Sequence, residues 1–381
     1  MEGLGMSKFY VELKKVVDDS YDIEVGRNLF DTLVKDLKGE LGKGISKYAI
    51  ITDSNVKALY GDQLYQRLTN EGFQVDLISF PAGEKSKVRA TKEMIEDEML
   101  ARGHRRDSCI IAIGGGVVTD LAGFVAGTFG RGIPFINYST TILGSADASV
   151  GGKTAVDTPL ATNLIGLIYQ PKKVYIDLAT WETLPKEQIS NGLAETIKHA
   201  CIADYAFFEF LEANIEKLLE PDGIHQYAEI CEHIAEKNCK IKYEVVKKDE
   251  RETNLRQVLN LGHTIGRAIE TLSDYSLLHG EAVAIGLAMQ VKIGEKLRYI
   301  NPEEVNRVIC LLEKAGLPTQ LLDNMSTEEV VQKLYTDKKV RKGKIRFVFQ
   351  EGIGRIKQYE DGNYAIALEE DFIRKTINEV R

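Results

Sequence analysis

Two histidines in the second half of the chain have neighbouring residues that suit metal binding. His263 lies in "NLGHTIG" and His279 in "LLHGEAVAIG", where glycines would let another helix or a ligand come close. Two neutral imidazoles and one carboxylate are a usual catalytic zinc set, which leaves a fourth coordination position open. The spacing of the two histidines does not by itself decide between metal ligands and structural histidines.

Polar residues around His263 favour a functional surface over an ordinary solvated helix face, which is normally rich in lysine and glutamate. Helical periodicity places four of them at i, i+4, i+7 and i+11, which predicts a single stripe. They are Arg256, Asn260, His263 and Arg267. Gly262, which flanks this stripe, is less typical of a solvated helix face than of a close contact with another element.

Glu195 and Lys198 in "GLAETIKHA" are a second pair whose spacing could bring two functional groups together. They are three residues apart and therefore lie on one face of the predicted helix. The remaining histidines that we considered have no suggestive neighbours, and we expect them at the surface. They are His104, His225 and His233.

Three glycines at the end of an apolar strand pattern suit phosphate binding. Gly114, Gly115 and Gly116 follow "SCIIAI" and precede the helical "VVTDLAGFVAG". Glycine lets backbone N–H groups approach a phosphate, and the start of a helix favours negative charge. A tight turn without a ligand is the alternative, because this is not a complete dinucleotide motif.

Two further strand ends carry polar residues at the same expected edge of a sheet. Thr140 and Thr141 end the pattern "IPFINYSTT", which makes a dinucleotide site more credible. Glu84 and Lys87 in "PAGEKSK" follow another strand and are placed to reach a ribose or a phosphate. A loop with solvated charges is equally ordinary at that position.

Alternating strand and helix patterns would position these residues. The strands "YAIITD", "FQVDLISF", "SCIIAIGGG" and "IPFINYSTT" are separated by helical stretches, one of them over residues 56–70. This order predicts a parallel sheet with helices on both faces and ligands beyond the carboxyl ends of its strands. From about Trp181 helical periodicity dominates to about residue 335, and "KIRFVFQEGIGRIKQYE" predicts one small hairpin.

We therefore predict an α/β protein with two domains and a cleft between them as the default site. Residues 1–180 would form a Rossmann-like, parallel-sheet nucleotide-binding domain, and residues 181–381 a mostly α-helical metal- and substrate-binding domain. A chain of 381 residues is long enough for two such domains.

Composition narrows the class of protein. A formal net charge of −8 argues against nucleic-acid binding, which needs a basic face. The sequence has no apolar run of the length that a membrane span requires. The start "MEGLGMSKFY" lacks a signal-peptide pattern, so we expect a cytoplasmic protein. The 5 cysteines are dispersed, which is typical of reduced thiols in a core.

Several longer segments together resemble the 3-dehydroquinate synthase family of sugar phosphate cyclases. In chain order they are "GGGVVTDLAGFVAGTFGRGIPF", "DASVGGKT", "NLIGLIYQP", "GLAETIKHA", "DERETNLRQVLNLGHTIG" and "LHGEAVAIG". They extend from about residue 110 to 290, and "DKKVRKGKIRFVF" matches more loosely. "DASVGGKT" separates this family from the iron-dependent alcohol and glycerol dehydrogenases, which share the architecture.

The resemblance implies a tightly bound NAD, a zinc or cobalt ion, a homodimer and a small sugar phosphate as substrate. The implied metal ligands are Glu195, His263 and His279. The implied catalytic and substrate-binding residues are Asp147, Lys153, Asn163, Lys198, Lys242, Arg256, Asn260, one of Lys338 and Lys339, and Arg131 from a partner subunit. The implied NAD-binding residues are Asp53, Asn55, Glu84, Lys87, Gly114, Gly115, Gly116, Val117, Asp120, Thr140, Thr141, Lys153 and Thr162.

The implied reaction converts 3-deoxy-D-arabino-heptulosonate 7-phosphate to 3-dehydroquinate and phosphate in the shikimate pathway. NAD oxidises a ring hydroxyl, phosphate is eliminated, the NADH formed reduces the intermediate, and the ring opens and closes again by an intramolecular aldol reaction. The ketone made in the first step acidifies the neighbouring C–H, which permits the elimination. Because NAD is regenerated, there is no net oxidation.

Three positions depart from the family pattern. Arg267 replaces a histidine, Thr162 replaces a lysine before Asn163, and Ser139 replaces a proline. Arginine stays protonated and cannot act as a general base, a role worth about 10²–10⁴-fold. Bound zinc lowers the pKa of water from about 15.7 to about 7, which outweighs that loss. We expect Arg267 beside the metal, as a fixed positive group for a carboxylate or phosphate.

These departures leave alternatives to the leading interpretation. A paralogous sugar phosphate cyclase with another substrate would accommodate Arg267 and Thr162. A metal-dependent alcohol or glycerol dehydrogenase would produce NADH from a simple alcohol. A relative that binds without catalysis is the least favoured, because the proposed ligands and most of the lysines are present.

Overall fold

The first half of the molecule is built on a six-stranded sheet in which every neighbouring pair of strands is parallel. A computed structural model describes residues 10–335 and 345–380. The sheet order is β1-β8-β5-β4-β2-β3, β6 pairs with β7, and β9 pairs with β10. The strands are β1 Asp22–Gly26, β2 Lys47–Asp53, β3 Val75–Phe80, β4 Ser108–Gly114, β5 Phe135–Ser139, β6 Lys153–Thr158, β7 Ala161–Ile168, β8 Lys173–Asp177, β9 Arg346–Val348 and β10 Ala365–Ala367.

Helices cover both faces of this sheet and form most of the second half. They are α1 Phe30–Lys38, α2 Ser54–Val56, α3 Asp62–Asn70, α4 Arg89–Ala101, α5 Gly116–Thr128, α6 Lys186–Ala203, α7 Tyr205–Asn214, α8 Gly223–Gln226, α9 Ala228–Lys248, α10 His263–Leu272, α11 His279–Lys296, α12 Pro302–Lys314, α13 Thr327–Leu334 and α14 Glu370–Val380. The predicted α/β architecture is confirmed. The division at residue 180 stays a prediction.

The strand sequences explain why the sheet is central. Every residue of β4, "SCIIAIG", is buried, as expected of a strand with helices on both faces. Ile95 of α4 and Leu121 of α5 pack with one face, whereas Leu33 of α1 and Leu64 of α3 pack with the other. The four predicted strands are present. The apolar pattern of the sequence did not predict β1 and β8, which have only five residues each.

Two expectations from the sequence were wrong. Arg256 and Asn260 lie in a 3-10 segment that Gly262, at φ 78°, separates from α10, so the predicted single stripe is broken. His104 is buried, and its ring contacts Asp76 at 3.0 Å.

The small hairpin predicted within residues 344–360 is present. An antiparallel bridge joins Gln350 and Ile356, and the backbone N–H groups of Lys357 and Glu351 donate to the carbonyl oxygens of Phe349 and Arg355, both at 2.9 Å. β9 pairs separately with residues 365–367, further along the chain. Among the described residues no helix is long and apolar enough to cross a membrane.

Candidate metal and substrate site

Three helices bring the candidate metal ligands together. Glu195 lies in the buried middle of α6, and His263 and His279 are the first residues of α10 and α11. The helices can approach closely because a Cβ on Gly280 would lie only 2.1 Å from the carbonyl oxygen of Asn191 in α6. The backbone N–H of Gly280 donates to the Asn191 side chain at 2.6 Å. Glycine at this position therefore sets the distance between two ligands.

The geometry of these three side chains fits a divalent cation. The Oε1 atom of Glu195 lies 3.3 Å from Nε2 of His263 and 3.5 Å from Nε2 of His279. Ligands at tetrahedral zinc distances are separated by roughly 3.4 Å. Glu195 Oε1 is buried and has no hydrogen-bond partner among the described residues. A cation would satisfy this oxygen, so the residues fit a metal site.

Acceptors behind the two imidazoles direct their free nitrogens inward. Nδ1 of His263 lies 3.2 Å from the carbonyl oxygen of Leu261. Nδ1 of His279 lies 3.2 Å from the carboxylate of Glu270. Such contacts fix the tautomer and the ring orientation of metal-binding histidines, which leaves each Nε2 as the ligand atom.

The two imidazoles have opposite protonation preferences in the protein without a cation. Burial and the nearby ammonium of Lys198 lower the pKa of His263 to about 3. Burial acts the same way on His279, but the carboxylates of Glu270 and Glu195 raise its pKa to about 10. The negative charge of the site is therefore concentrated on the His279 side.

A second cluster, Asp147, Glu195 and His199, shares Glu195 with the first. Lys242 forms an ion pair with Asp147, and Lys198 forms one with Glu195. The Lys198 pair is common to both clusters, because both contain Glu195. Lys242 adds a second ammonium group on Asp147, which opposes a cation in the second cluster alone. The histidine pair with Glu195 is therefore the better metal site.

A cavity of about 450 Å³ lies beside the metal triad, and His263 belongs to both. Most of the residues predicted for substrate line it. They are Asp147, Lys153, Asn163, Lys198, Lys242, Arg256, Asn260 and Arg267. Asp120, expected at the cofactor, also contributes to the wall. The structure thus gathers residues from β6, β7, α6, α9 and α10 around one space.

Among the described residues, Arg131 is the one residue predicted for substrate that does not line this cavity. Arg131 is exposed in a turn after α5 and has a left-handed backbone at φ 70°. Lys338 and Lys339 lie outside the described residues.

The lysines that line the cavity each contact a carboxylate. Lys153 pairs with Glu252, Lys198 with Glu195, and Lys242 with Asp147. Burial would raise the pKa of Asp147, but the ammonium of Lys242 holds it below its ordinary value. The cavity is therefore a set of opposed charges into which an anionic ligand would have to fit.

The residues predicted for NAD lie mainly at the carboxyl ends of the strands. Gly114 ends β4, Gly115 follows it, and Gly116 and Val117 begin α5. Thr140 and Thr141 follow β5. The hydroxyl oxygen of Thr140 is buried and has no hydrogen-bond partner among the described residues. An unsatisfied hydroxyl beside a glycine turn and a helix start fits a phosphate-containing cofactor.

Asp53, Asn55 and Thr162 have other surroundings. Asp53 caps the helix after β2, where its Oδ1 accepts from the backbone N–H of Asn55 at 2.8 Å and of Val56 at 2.9 Å. This capping explains Asp53 without a ligand. Thr162 is half-buried in β7 and does not line the cavity.

Lys87 is the centre of a buried charge cluster between the cofactor edge and the cavity. Its ammonium lies 2.9 Å from Asp120 and 3.2 Å from Glu84. Burial disfavours the charge of Lys87, but the carboxylates of Asp120, Glu84 and Asp157 raise its pKa well above the ordinary value. The cluster therefore keeps one permanent positive charge under the glycine turn.

Sequence reasoning missed three carboxylates of this region. Glu252 contacts Lys153 and Asn260 at the cavity, and Glu270 orients His279. Asp157 accepts from the backbone N–H of Asn163 at 2.7 Å. One signal was present for Glu270, which follows His263 by seven residues and so lies on the same helix face.

Comparison with solved structures places this architecture among the sugar phosphate cyclases. It is similar to 2-epi-5-epi-valiolone synthase from Streptomyces hygroscopicus subsp. jinggangensis 5008, solved with NAD+ and Zn2+, with a TM-score of 0.84, 27% identity and coverage of 98% of this chain and 99% of that chain. A 2-deoxy-scyllo-inosose synthase complexed with carbaglucose-6-phosphate, NAD+ and Co2+ has a TM-score of 0.83 at 24% identity, covering 94% and 96%. NADH-dependent butanol dehydrogenase A from Thermotoga maritima shares the fold, with a TM-score of 0.67 at 16% identity and coverage of 96% and 98%.

Sequence comparison gives the family. The family model for the 3-dehydroquinate synthase N-terminal region matches residues 77–191, and that for the C-terminal region matches residues 192–340. The 3-dehydroquinate synthase of Pelobacter propionicus is 43% identical, covering 88% of this chain and 92% of the relative. That of Thermodesulfovibrio yellowstonii is 42% identical, covering 98% and 100%. The chain belongs to the 3-dehydroquinate synthase family, as its motifs predicted.

Proposed function

We propose that this chain is a 3-dehydroquinate synthase of the shikimate pathway, a phosphate-eliminating lyase. It would convert 3-deoxy-D-arabino-heptulosonate 7-phosphate to 3-dehydroquinate and phosphate in the cytoplasm. The observation that carries the proposal is the buried triad of Glu195, His263 and His279 beside a cavity lined by lysines and arginines. Family membership supports the same reaction.

Two bound groups complete the proposed site. A divalent cation, Zn2+ or Co2+, held by Glu195, His263 and His279 would supply Lewis acidity toward a substrate hydroxyl. NAD held at Gly114–Gly116, Thr140 and the Lys87 cluster would supply reversible hydride transfer. The cyclase structures solved with NAD+ and a divalent metal support both groups.

The side chains of the cavity would bind and orient a substrate that carries a phosphate and a carboxylate. Lys153, Lys198, Lys242 and Arg256 offer fixed N–H donors and positive charge. The carboxylate partners of the three lysines would be exchanged in part for the oxygens of the substrate. Because these cations are gathered in one cavity, the overall negative charge of the chain does not oppose an anionic ligand.

Polar neighbours would complete the binding of the substrate. Asn163 and Asn260 add amide groups to the lining of the cavity, and Asp147 is held ionised by Lys242. We also propose that the chain acts as a homodimer, in which Arg131 of the partner subunit reaches the substrate phosphate. One of Lys338 and Lys339 would also contact the substrate.

A second candidate is a paralogous cyclase that acts on another sugar phosphate. Arg267 favours it, because this arginine lines the cavity where the family pattern has a histidine. Thr162 favours it less, since it lies away from the cavity lining.

The proposal is tested by incubating NAD- and zinc-loaded protein with 3-deoxy-D-arabino-heptulosonate 7-phosphate. We expect one phosphate released for each carbocycle formed, identification of that carbocycle as 3-dehydroquinate by NMR, and no net NADH. Turnover of sedoheptulose 7-phosphate alone would favour the paralogous cyclase. NADH accumulating from a simple alcohol would indicate a dehydrogenase.

A further inference from the structure

The three arginines that line the cavity differ from its lysines, because none of them forms an ion pair with a carboxylate in the described part of the chain. One of them, Arg251, is exposed. Arg256 is held by backbone carbonyls, with Nη2 donating to Gly151 at 2.9 Å and Nη1 to Glu250. Arg267 has no such anchor among the described residues. Its Nη1 is buried, and no described residue accepts a hydrogen bond from it. Arg267 is thus a cation with one buried donor left over.

The position of Arg267 limits what can satisfy these donors. It lies on α10 one helical turn after His263, and its side chain lines the cavity. The guanidinium of Arg267 keeps its charge, although the residue is only half-buried. A buried donor without a partner, such as its Nη1, is unfavourable. The flat guanidinium group matches oxyanions, since it offers parallel N–H groups to two oxygens. An oxyanion beside the metal site would satisfy both the charge and the free donor.

We propose that Arg267 is a specificity-determining residue that binds an oxyanionic group of the substrate, either its phosphate or its carboxylate. This inference rests on the proposed function of the cavity. Arg267 supplies charge and N–H groups independently of the carboxylate pairs that occupy the lysines. The substrate would be oriented by this contact on one side and by the metal triad on the other.

The two products of the proposed reaction separate the two oxyanions, because phosphate carries one and 3-dehydroquinate carries the other. The experiment titrates inorganic phosphate and, separately, 3-dehydroquinate into zinc- and NAD-loaded protein by calorimetry. We expect Arg267→Gln to weaken one of the two ligands by about 10- to 100-fold, and the other by less than about threefold. The ligand that weakens identifies the bound oxyanion.

Two further variants separate binding from structure. Arg267→Lys keeps the charge and should recover part of the lost affinity. Arg67→Gln changes an arginine on the surface, paired with Asp31, and should leave both affinities unchanged. In steady-state kinetics Arg267→Gln should raise KM by more than it lowers kcat, and its zinc content should equal that of the unchanged protein.

Three results would overturn the proposal. They are equal affinities in the unchanged protein and Arg267→Gln, equal weakening of both ligands together with loss of zinc, and no binding of either ligand by the unchanged protein. The calorimetry requires no turnover. It therefore stands apart from the test of the proposed function, which fails only if 3-deoxy-D-arabino-heptulosonate 7-phosphate is not converted.

Discussion

The metal triad and the charged cavity beside it are organised in different ways. In the triad, acceptors behind His263 and His279 hold each ring, and the remaining nitrogens converge on Glu195. In the cavity, the lysines are paired with carboxylates, as Lys153 is with Glu252. Nearly half of the Lys153 side chain, 47%, is exposed, so this pair can rearrange.

The difference shows two ways of preparing a site for charge. A cation needs ligand atoms at fixed distances, so the triad is rigid and supported from outside. An anionic substrate of several atoms can exchange existing pairs for its own, so the cavity can be adjustable. Substitutions at the triad should therefore abolish metal binding, whereas those in the cavity should change affinity in graded steps.

The largest effect is expected from Glu195→Gln. The amide keeps the shape but removes the negative ligand, so zinc content should fall well below one equivalent and activity by roughly 10³-fold or more. Metal analysis and phosphate release measure the two. Glu187→Gln, at an exposed position of the same helix, is the control. Full zinc content in Glu195→Gln would contradict the assigned ligand.

Gly286→Ala tests the close contact between α10 and α11 that places the two histidines. A Cβ at Gly286 would lie 2.1 Å from the carbonyl oxygen of Gly262 and 2.6 Å from the backbone nitrogen of Gly266. We expect a loss of about 1–3 kcal/mol in the free energy of unfolding, together with weaker zinc binding. Thermal unfolding and metal titration report both.

Gly294→Ala is the matched control on the same helix. Its Cβ would meet Ile300 at 3.4 Å and Phe349 at 3.5 Å, which are ordinary contacts. Because alanine favours helix over glycine by about 0.5–1 kcal/mol, this variant should be as stable as the unchanged protein or more so. Equal losses in both variants would show that the helix contact is not the cause.

Glu270→Gln should affect the triad less, because it removes an outer contact rather than a ligand. Loss of the carboxylate behind His279 should weaken zinc affinity by about 10–100-fold, measured by competition with a chelator. Glu281→Gln controls for changes at the start of α11, since Glu281 accepts from the backbone N–H of Leu278. An unchanged zinc affinity in Glu270→Gln would mean that this contact does not support the site.

The smallest effect on the site is expected at Asp157, in the Lys87 charge cluster rather than in the cavity lining. Burial and the nearby Glu84 raise the pKa of Asp157 to about 6, although Lys87 opposes them. The folded protein then binds a proton that the unfolded chain releases near pH 4, so stability falls as the pH rises from about 4 to 6. Asp157→Asn should be more stable than the unchanged protein at pH 7, by at most about 3 kcal/mol.

The difference in stability between Asp157→Asn and the unchanged protein should disappear below about pH 4. Thermal unfolding of metal- and NAD-free protein across this range measures it. A difference that does not depend on pH would contradict the raised pKa of Asp157.

The sequence predicted the parallel sheet well because its inner strands are continuous apolar runs, as in β4. Short strands such as β1 and the pairing of β9 with β10 depend on distant partners, which periodicity cannot reveal. The residues of the triad and most of those of the cavity were named from motifs. The prediction of one helical stripe through Arg256 and Arg267 was wrong because Gly262 interrupts the helix. Side-chain spacing does not reveal such a change in the backbone.

Glu252 and Asp157 were not predicted, for a related reason. Their importance comes from partners on other elements, Lys153 for Glu252 and the Glu84–Lys87 loop for Asp157. Neither residue type nor local spacing distinguishes such carboxylates from solvated ones. Only the folded chain brings the opposing charges together.

The most direct test of the account is anomalous diffraction at the zinc edge from zinc-loaded crystals. We predict one strong peak at about 2.0–2.2 Å from a Glu195 oxygen and from Nε2 of His263 and His279. A peak between Asp147 and His199 instead, or no ordered zinc at the triad in fully loaded protein, would contradict it.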